Sequence, residues 1–235
     1  MNKTLKYFHR MSDILRLISY IPKLKVSRAA FYTYFLFLFP FSFLTAQNMA
    51  IEWQNCFGGT YYDYNYDIIE ADNGYLILGH SFSDNYDAFC NHGEDDYLLI
   101  RIDSIGEMNW SECFGGSSSD GGTRIFSVDE NNYYLIGGSL SSDGDINFDP
   151  YPGTLDYWIL KVDNTGSIIW EKIVGGNNHD QLWTGTTTYD GGIAAFGWSN
   201  STEGDISVAY GGYDMWLVKL DSEGEVVWDK SFGTV

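Results

Sequence analysis

A tryptophan recurs at Trp53, Trp110, Trp170 and Trp228, at intervals of 57, 60 and 58 residues. Each is followed by nearly the same word: Cys-Phe-Gly-Gly twice, then Ile-Val-Gly-Gly, then Ser-Phe-Gly-Thr. A long fixed period means that one supersecondary unit is repeated in tandem, each copy burying its apolar faces against its neighbours. The fold must therefore be read from the unit rather than from isolated segments.

Each unit reads as four short strands. In the second copy these are 124–128, 133–140, 157–163 and 167–172, in the first 66–71, 75–81, 97–103 and 107–113, and in the third 185–189, 193–199, 215–221 and 225–230. The segments are rich in Ile, Val, Leu, Tyr and Trp and are of strand length. Asp72-Asn73-Gly74 and Asp190-Gly191-Gly192 are tight-turn words between strands one and two. Strands three and four are joined in every copy by Asp-x-x-Gly: Asp103 to Gly106, Asp163 to Gly166 and Asp221 to Gly224. The glycine supplies the positive φ that a short hairpin requires. No 3.6-residue pattern follows residue 50, so the chain is expected to be all-β. Four antiparallel strands per repeat of nearly sixty residues describe a β-propeller blade, here in an array of three complete repeats. Blades are expected at about 60–116, 117–176 and 177–233. The segment 51–57 is expected to be a fourth strand standing alone. Strand three is almost continuously apolar, as where neighbouring sheets cover both faces, and the tryptophans are expected to pack between blades.

The first 46 residues differ. Seven of the 13 basic residues lie there with one acid, Asp13, and the uncharged aromatic run 31–46 follows. A basic segment, an apolar run and a small residue, Ala46, describe a secretory signal peptide, cleaved before Gln47. An uncleaved anchor and a buried helix stay open as readings, although sixteen residues interrupted by Pro40 are short for a span. Without that segment six basic residues face 31 acids, a net charge of −25. Such a surface excludes nucleic acid as a partner, because no basic stripe neutralises phosphates. It suits an extracellular protein or glycan partner, and it is compatible with cations. Of three cysteines, Cys56 and Cys113 share a repeat position, which leaves a Cys56–Cys113 disulfide open in an oxidising compartment, with Cys90 alone in a loop.

In an up-and-down blade, the two–three and four–one connections share one end. These are the long polar loops, so a ligand face is expected there. The four–one loop repeats Gly-Gly-x-x-x-Asp and ends at Asp63, Asp120 and Asp180. The two–three loop is Ser-rich and acidic and ends at Asp96, Asp156 and Asp214. These six aspartates are the ligand-face candidates, with a structural role in each blade as the competing reading. Asp143, Asp145, Asn147 and Asp149 set oxygen ligands at alternate positions in a glycine-containing loop, the arrangement of a calcium site, without the Glu that completes an EF-hand. The competing reading is that they close Asx turns. Tyr61, Tyr62, Tyr64 and Tyr151 could stack on sugar rings or pack on neighbouring loops. No nucleophile elbow is present, and His80, His92 and His179 lie in separate units without matching partners. Non-catalytic surface binding is therefore the expected role. A secreted polysaccharide hydrolase or lyase and a calcium-stabilised structural module are the alternatives.

The repeat Trp-x-x-x-[Phe/Val]-Gly-Gly-x-x-x-Asp, the Ser-x-Ser-x-Asp-Gly-Asp loop and the strand Asp-Tyr-Trp-Ile-Leu-Lys-Val-Asp resemble a family of secreted bacterial β-propeller-repeat proteins. Many of these end in a type IX secretion sorting domain. The resemblance covers Ile51 onward and implies a released or cell-surface protein, with adhesion or carbohydrate contact as its role. It departs from the pattern in carrying no sorting domain and only three units, where propellers have four to eight blades. The expectation is an open array, a fragment of a longer propeller, or a homo-oligomer that closes the ring.

Overall fold

A computed structural model describes residues 50–234. The expected signal peptide, with its cleavage point, lies outside the described residues. Among those described, no helix is long and apolar enough to cross a membrane.

Among the described residues, twelve strands form three four-stranded antiparallel sheets in succession, each in simple meander order. The first blade comprises β1 (Asp63–Ala71), β2 (Gly74–Ser81), β3 (Asp96–Asp103) and β4 (Met108–Phe114). The second comprises β5 (Asp120–Ser127), β6 (Asn132–Ser139), β7 (Asp156–Asp163) and β8 (Ile168–Val174). The third comprises β9 (Asp180–Thr187), β10 (Ile193–Ser199), β11 (Asp214–Leu220) and β12 (Val226–Phe232). The array is all-β, propeller-like and open, with no closed sheet. A single 3-10 turn, Tyr86–Ala88, interrupts the first two–three loop.

Two apolar cores lie between blades. One joins Leu76, Leu78 and Leu99 to Leu135, Trp158 and Leu160. The other joins Ile136, Tyr157 and Ile159 to Leu182, Trp216 and Val218. At each junction a strand-three tyrosine reaches into the next blade. Tyr97 donates its hydroxyl to the Trp158 carbonyl at 3.1 Å, and Tyr157 to the Trp216 carbonyl at 3.2 Å. Each ring meets the following indole with centroids 4.8 Å apart, a geometry in which aromatic pairs add to simple burial.

The recurring tryptophans complete the junctions. Trp53, Trp110 and Trp170 each lie over the Asp-x-x-Gly turn of the following blade. A Cβ on Gly166 would lie 3.2 Å from the Trp110 ring, one on Gly224 3.0 Å from the Trp170 ring, and one on Gly106 closer still to Trp53. These glycines are thus required twice, for φ of +83° to +86° and for the indole above them. The Trp170 indole also donates to the Ser222 carbonyl at 3.0 Å. Trp228 has no described blade beyond it and is 43% exposed.

Two expectations are corrected. The segment 51–57 is not a strand: with no three-stranded sheet to pair with, its backbone has no ladder to join. It lies instead over the outer face of the first blade, Trp53 and Phe57 packing against the core of Ile77, Leu98, Ile100 and Ile102. The disulfide joins Cys90 to Cys113, not Cys56 to Cys113, and Cys56 is free and exposed. The 3-10 turn folds the two–three loop back over β4, which brings Cys90 to the strand that carries Cys113.

Candidate functional site

The long loops at the expected end of the blades form a repeated clamp. In the second blade, Gly116 N–H donates to Asp120 Oδ2 at 2.7 Å and Ser141 Oγ–H donates to the same oxygen at 2.7 Å. The Ser118 amide donates to Ser141 Oγ at 2.9 Å. Asp145 accepts from Gly115 N–H at 3.1 Å, and its own amide returns a bond to the Gly115 carbonyl at 3.0 Å. The acidic loop of one blade is thereby tied to the glycine pair that ends the blade before it. The third blade repeats the pattern, with Ser201 donating to Asp180 at 2.9 Å and Gly175 to Asp205 at 3.1 Å. In the first blade Asp63 accepts from Gly59 N–H at 2.8 Å and from the Ser81 and Ser83 hydroxyls, and Gly58 donates to Asp87.

The six aspartates singled out from sequence are therefore located at the expected end but serve the clamp. Asp96, Asp120, Asp156, Asp180 and Asp214 are buried, and Asp63 is half-buried. Asp96 accepts from the His92 amide and ring at 2.7 Å, Asp156 from Gly176 N–H and the Thr154 hydroxyl, and Asp214 from the Tyr210 amide at 2.7 Å. Each carboxylate accepts at least one protein donor, while Oδ1 of Asp96, Asp120 and Asp180 is buried without a hydrogen-bond partner.

Burial makes Asp96, Asp120, Asp156 and Asp180 weak acids. It raises Asp156 to about 8, with the Asp180 carboxyl of the next blade alongside it. It raises Asp96 to about 6, Asp120 of the next blade adding to the rise. Asp120 and Asp180 are also raised by burial, against the hydroxyls of Ser139 and Ser141 and of Ser199 and Ser201. Each junction thus holds two carboxyls that cannot both ionise freely.

Each of the four proposed calcium ligands has a partner within the protein. Asp143 accepts from Ser117 N–H at 2.8 Å, and Asp145 from Gly115. Asn147 donates to Glu171 at 3.1 Å, while Asp149 closes an Asx turn on the Tyr151 amide at 2.8 Å. Among the described residues no group of three or more His, Cys, Asp or Glu side chains is placed to hold a metal.

One opening in the surface lies beside the clamp, where the first strands of the blades adjoin. It is a cavity of about 300 Å³ whose shape follows from the repeat. Four positions into strand one stand Tyr66, Thr123 and Trp183 in successive blades. The second blade also carries Gly121 and Gly122 there, so two aromatic walls flank a floor of small residues. Tyr66 is 49% and Trp183 53% exposed.

At its inner wall stand His80 and Asp95, with His80 Nδ1 3.3 Å from Asp95 Oδ2. Both break the repeat: the matching residues are Gly138 and Trp198 for His80, and Leu155 and Tyr213 for Asp95. Asp95 is 3% exposed, and its Oδ1 is buried without a hydrogen-bond partner. Such a group is costly unless something supplies a donor. The edges of the Tyr64, Tyr66 and Phe82 rings enclose the imidazole at centroid distances of 5.2, 5.3 and 5.9 Å. Burial lowers His80 below its ordinary value, Asp95 partly opposing this, and burial raises Asp95, with Ser119 and His80 opposing.

Sequence reasoning set His80 aside for want of a matching partner and passed over Asp95. The signal was the mismatch itself, an acid and a histidine where the other blades carry apolar residues or glycine. His92 and His179 have local tasks, His179 accepting from the Leu155 amide at 3.1 Å. Of the tyrosines named as sugar platforms, Tyr61 and Tyr62 are exposed and Tyr64 joins the cage around His80. Tyr151 packs beside Gly204 of the neighbouring loop. Comparison of the chain with known protein families and with curated proteins gives no match.

Proposed function

We propose that this chain is an exported, non-catalytic binding module that holds a glycan in the cavity between Tyr66 and Trp183. The observation that carries the reading is the break in the repeat: His80 and Asp95 stand at one place among three similar blades, facing two exposed aromatic walls. Aromatic rings take the C–H faces of sugars, and a few convergent polar groups fix orientation, which is the usual composition of a small-ligand site. Ser119 and Gln181 add a hydroxyl and an amide to the rim. Export is supported by the basic and apolar N-terminal segment and by the Cys90–Cys113 disulfide, which suits an oxidising compartment.

Titration of a glycan panel with indole fluorescence as readout tests this. Binding by at least one glycan class, lost about tenfold or more in Trp183→Ala with the melting temperature unchanged, is the expected result. No binding across the panel overturns it. A polysaccharide hydrolase is the second reading, favoured by the same His80–Asp95 pair. Ser119 hydrogen-bonds to Asp95 and opposes its rise, an arrangement that differs from a hydroxyl paired with an imidazole base. Reducing-end release from the bound glycan, abolished in Asp95→Asn, would establish the hydrolase instead.

A further inference from the structure

Resting on that reading, we infer that the cavity selects a sugar bearing a free ammonium group, an amino sugar rather than its N-acetylated or neutral counterpart. The argument begins with the orphaned oxygen. Asp95 Oδ1 is buried without a hydrogen-bond partner, as are Oδ1 of Asp96, Asp120 and Asp180, but of these four aspartates Asp95 alone lines the cavity. A hydroxyl could satisfy its geometry, but only a cation satisfies both geometry and charge, and charge-assisted bonds are roughly twice as strong as neutral ones.

The residues lining the cavity include no lysine or arginine. His80 is the one basic residue lining the cavity, and burial holds it toward the neutral imidazole. Arg124, on the neighbouring β5, does not line the cavity, and its guanidinium is committed to the carbonyls of two wall residues, Tyr66 and Thr123, at 3.2 and 2.8 Å. Glu94 adds a second negative charge next to Asp95. The walls favour the same ligand, since the faces of Tyr66 and Trp183 attract a cation as well as the apolar face of a ring. An N-acetyl group would remove the charge and bring an amide carbonyl toward the Asp95 carboxylate. The charge of the chain as a whole favours approach of such a ligand, whereas the cavity decides which part of it is held.

The test is isothermal titration of the full chain with glucosamine trimer and with N-acetylglucosamine trimer at neutral pH. The glucosamine trimer is expected to bind at least tenfold more tightly. Asp95→Asn, isosteric and of nearly unchanged net charge, is expected to abolish that preference while leaving the weaker binding of the acetylated trimer within about twofold. The exposed Glu130→Gln variant is expected to change neither. Thr123→Trp, which fills the cavity and leaves Asp95 in place, is expected to abolish binding of both.

Equal binding of the two trimers overturns the selection and leaves the glycan reading standing. Loss of preference in Glu130→Gln as large as in Asp95→Asn assigns it to bulk charge and overturns the inference. Retention of tight binding in Thr123→Trp places the ligand elsewhere and does the same. If neither trimer nor any neutral glycan binds, the binding reading fails and the inference fails with it.

Discussion

Trp170 and Trp228 occupy the same place in successive blades, as do Asp156 and Asp214, yet the first of each pair lies at a covered junction and the second on a face with no described blade against it. Trp170 rests on Gly224 and donates to Ser222, whereas Trp228 is 43% exposed. Asp156 lies beside Asp180, while Asp214 has no acid of a following blade beside it. In strand three the tyrosine that crosses each junction is replaced by Met215, which is 53% exposed. The residues of the repeat therefore do not carry fixed energies: each contributes according to the surface that meets it.

Substitution at paired positions breaks or sharpens that contrast. Trp170→Ala is expected to cost about 3–4 kcal/mol of unfolding free energy through lost packing and a lost bond. Trp228→Ala should remain within about 0.5 kcal/mol. Urea titration measures both, and equal losses would mean that the last face is covered in solution.

A smaller contrast is expected between two glycines of positive φ. Gly224→Ala combines a φ of +86° with the Trp170 ring 3.0 Å from the new methyl, and should cost about 2 kcal/mol. Gly153→Ala, with φ of +89° and open space around it, should cost about 1 kcal/mol, the backbone contribution alone. Thermal melts of the two variants separate indole contact from dihedral strain.

The junction acids give a pH dependence of unusual sign. Asp156 and Asp96 titrate at about 8 and about 6 when folded, above the ordinary carboxylate value of 3.8. The folded chain thus holds more protons than the unfolded one between those limits. The stability they contribute is complete below about pH 4 and is lost as pH rises through 6 and then 8. Asp129, Asp143, Asp163 and Asp190 are lowered by hydrogen bonds to their carboxylates and act oppositely, withdrawing stability below about pH 4. The melting temperature should therefore pass a maximum in mildly acid solution and decline toward pH 9. Asp156→Asn should flatten the decline. The smallest effect expected is that of EDTA: because Asp143, Asp145, Asn147 and Asp149 face separate partners, its addition should move the melting temperature by less than about one degree.

The blades were legible because every level of the sequence agreed: apolar runs of strand length, turn words between them, and a period that repeated both. The start of strand one was not. Asp120-Gly121-Gly122-Thr123 has the composition of a turn, and it is extended because Asp120 is fixed by Gly116 and Ser141, residues outside the strand. The disulfide was hidden for a related reason, since the match of Cys56 with Cys113 reflects the repeat, whereas Cys90 meets Cys113 through a loop excursion peculiar to the first blade. The six aspartates were found and their location was as expected, but spacing alone could not say whether a carboxylate faces solvent or a backbone amide. The cavity required knowing which positions of three strands come together, and only then do Tyr66, Thr123 and Trp183 become one site.

The indole over the next blade's turn has a consequence for how such a chain can lengthen. Each unit carries a donor at its fourth strand and a glycine socket at its own hairpin, so both halves of the joint are written in one stretch of about sixty residues. Duplication of that stretch inserts a course whose two surfaces already fit those above and below, with no second mutation needed to make the seam. Lengthening is then neutral for the masonry, and a lone histidine or carboxylate can change in one course without disturbing the mortar of the rest.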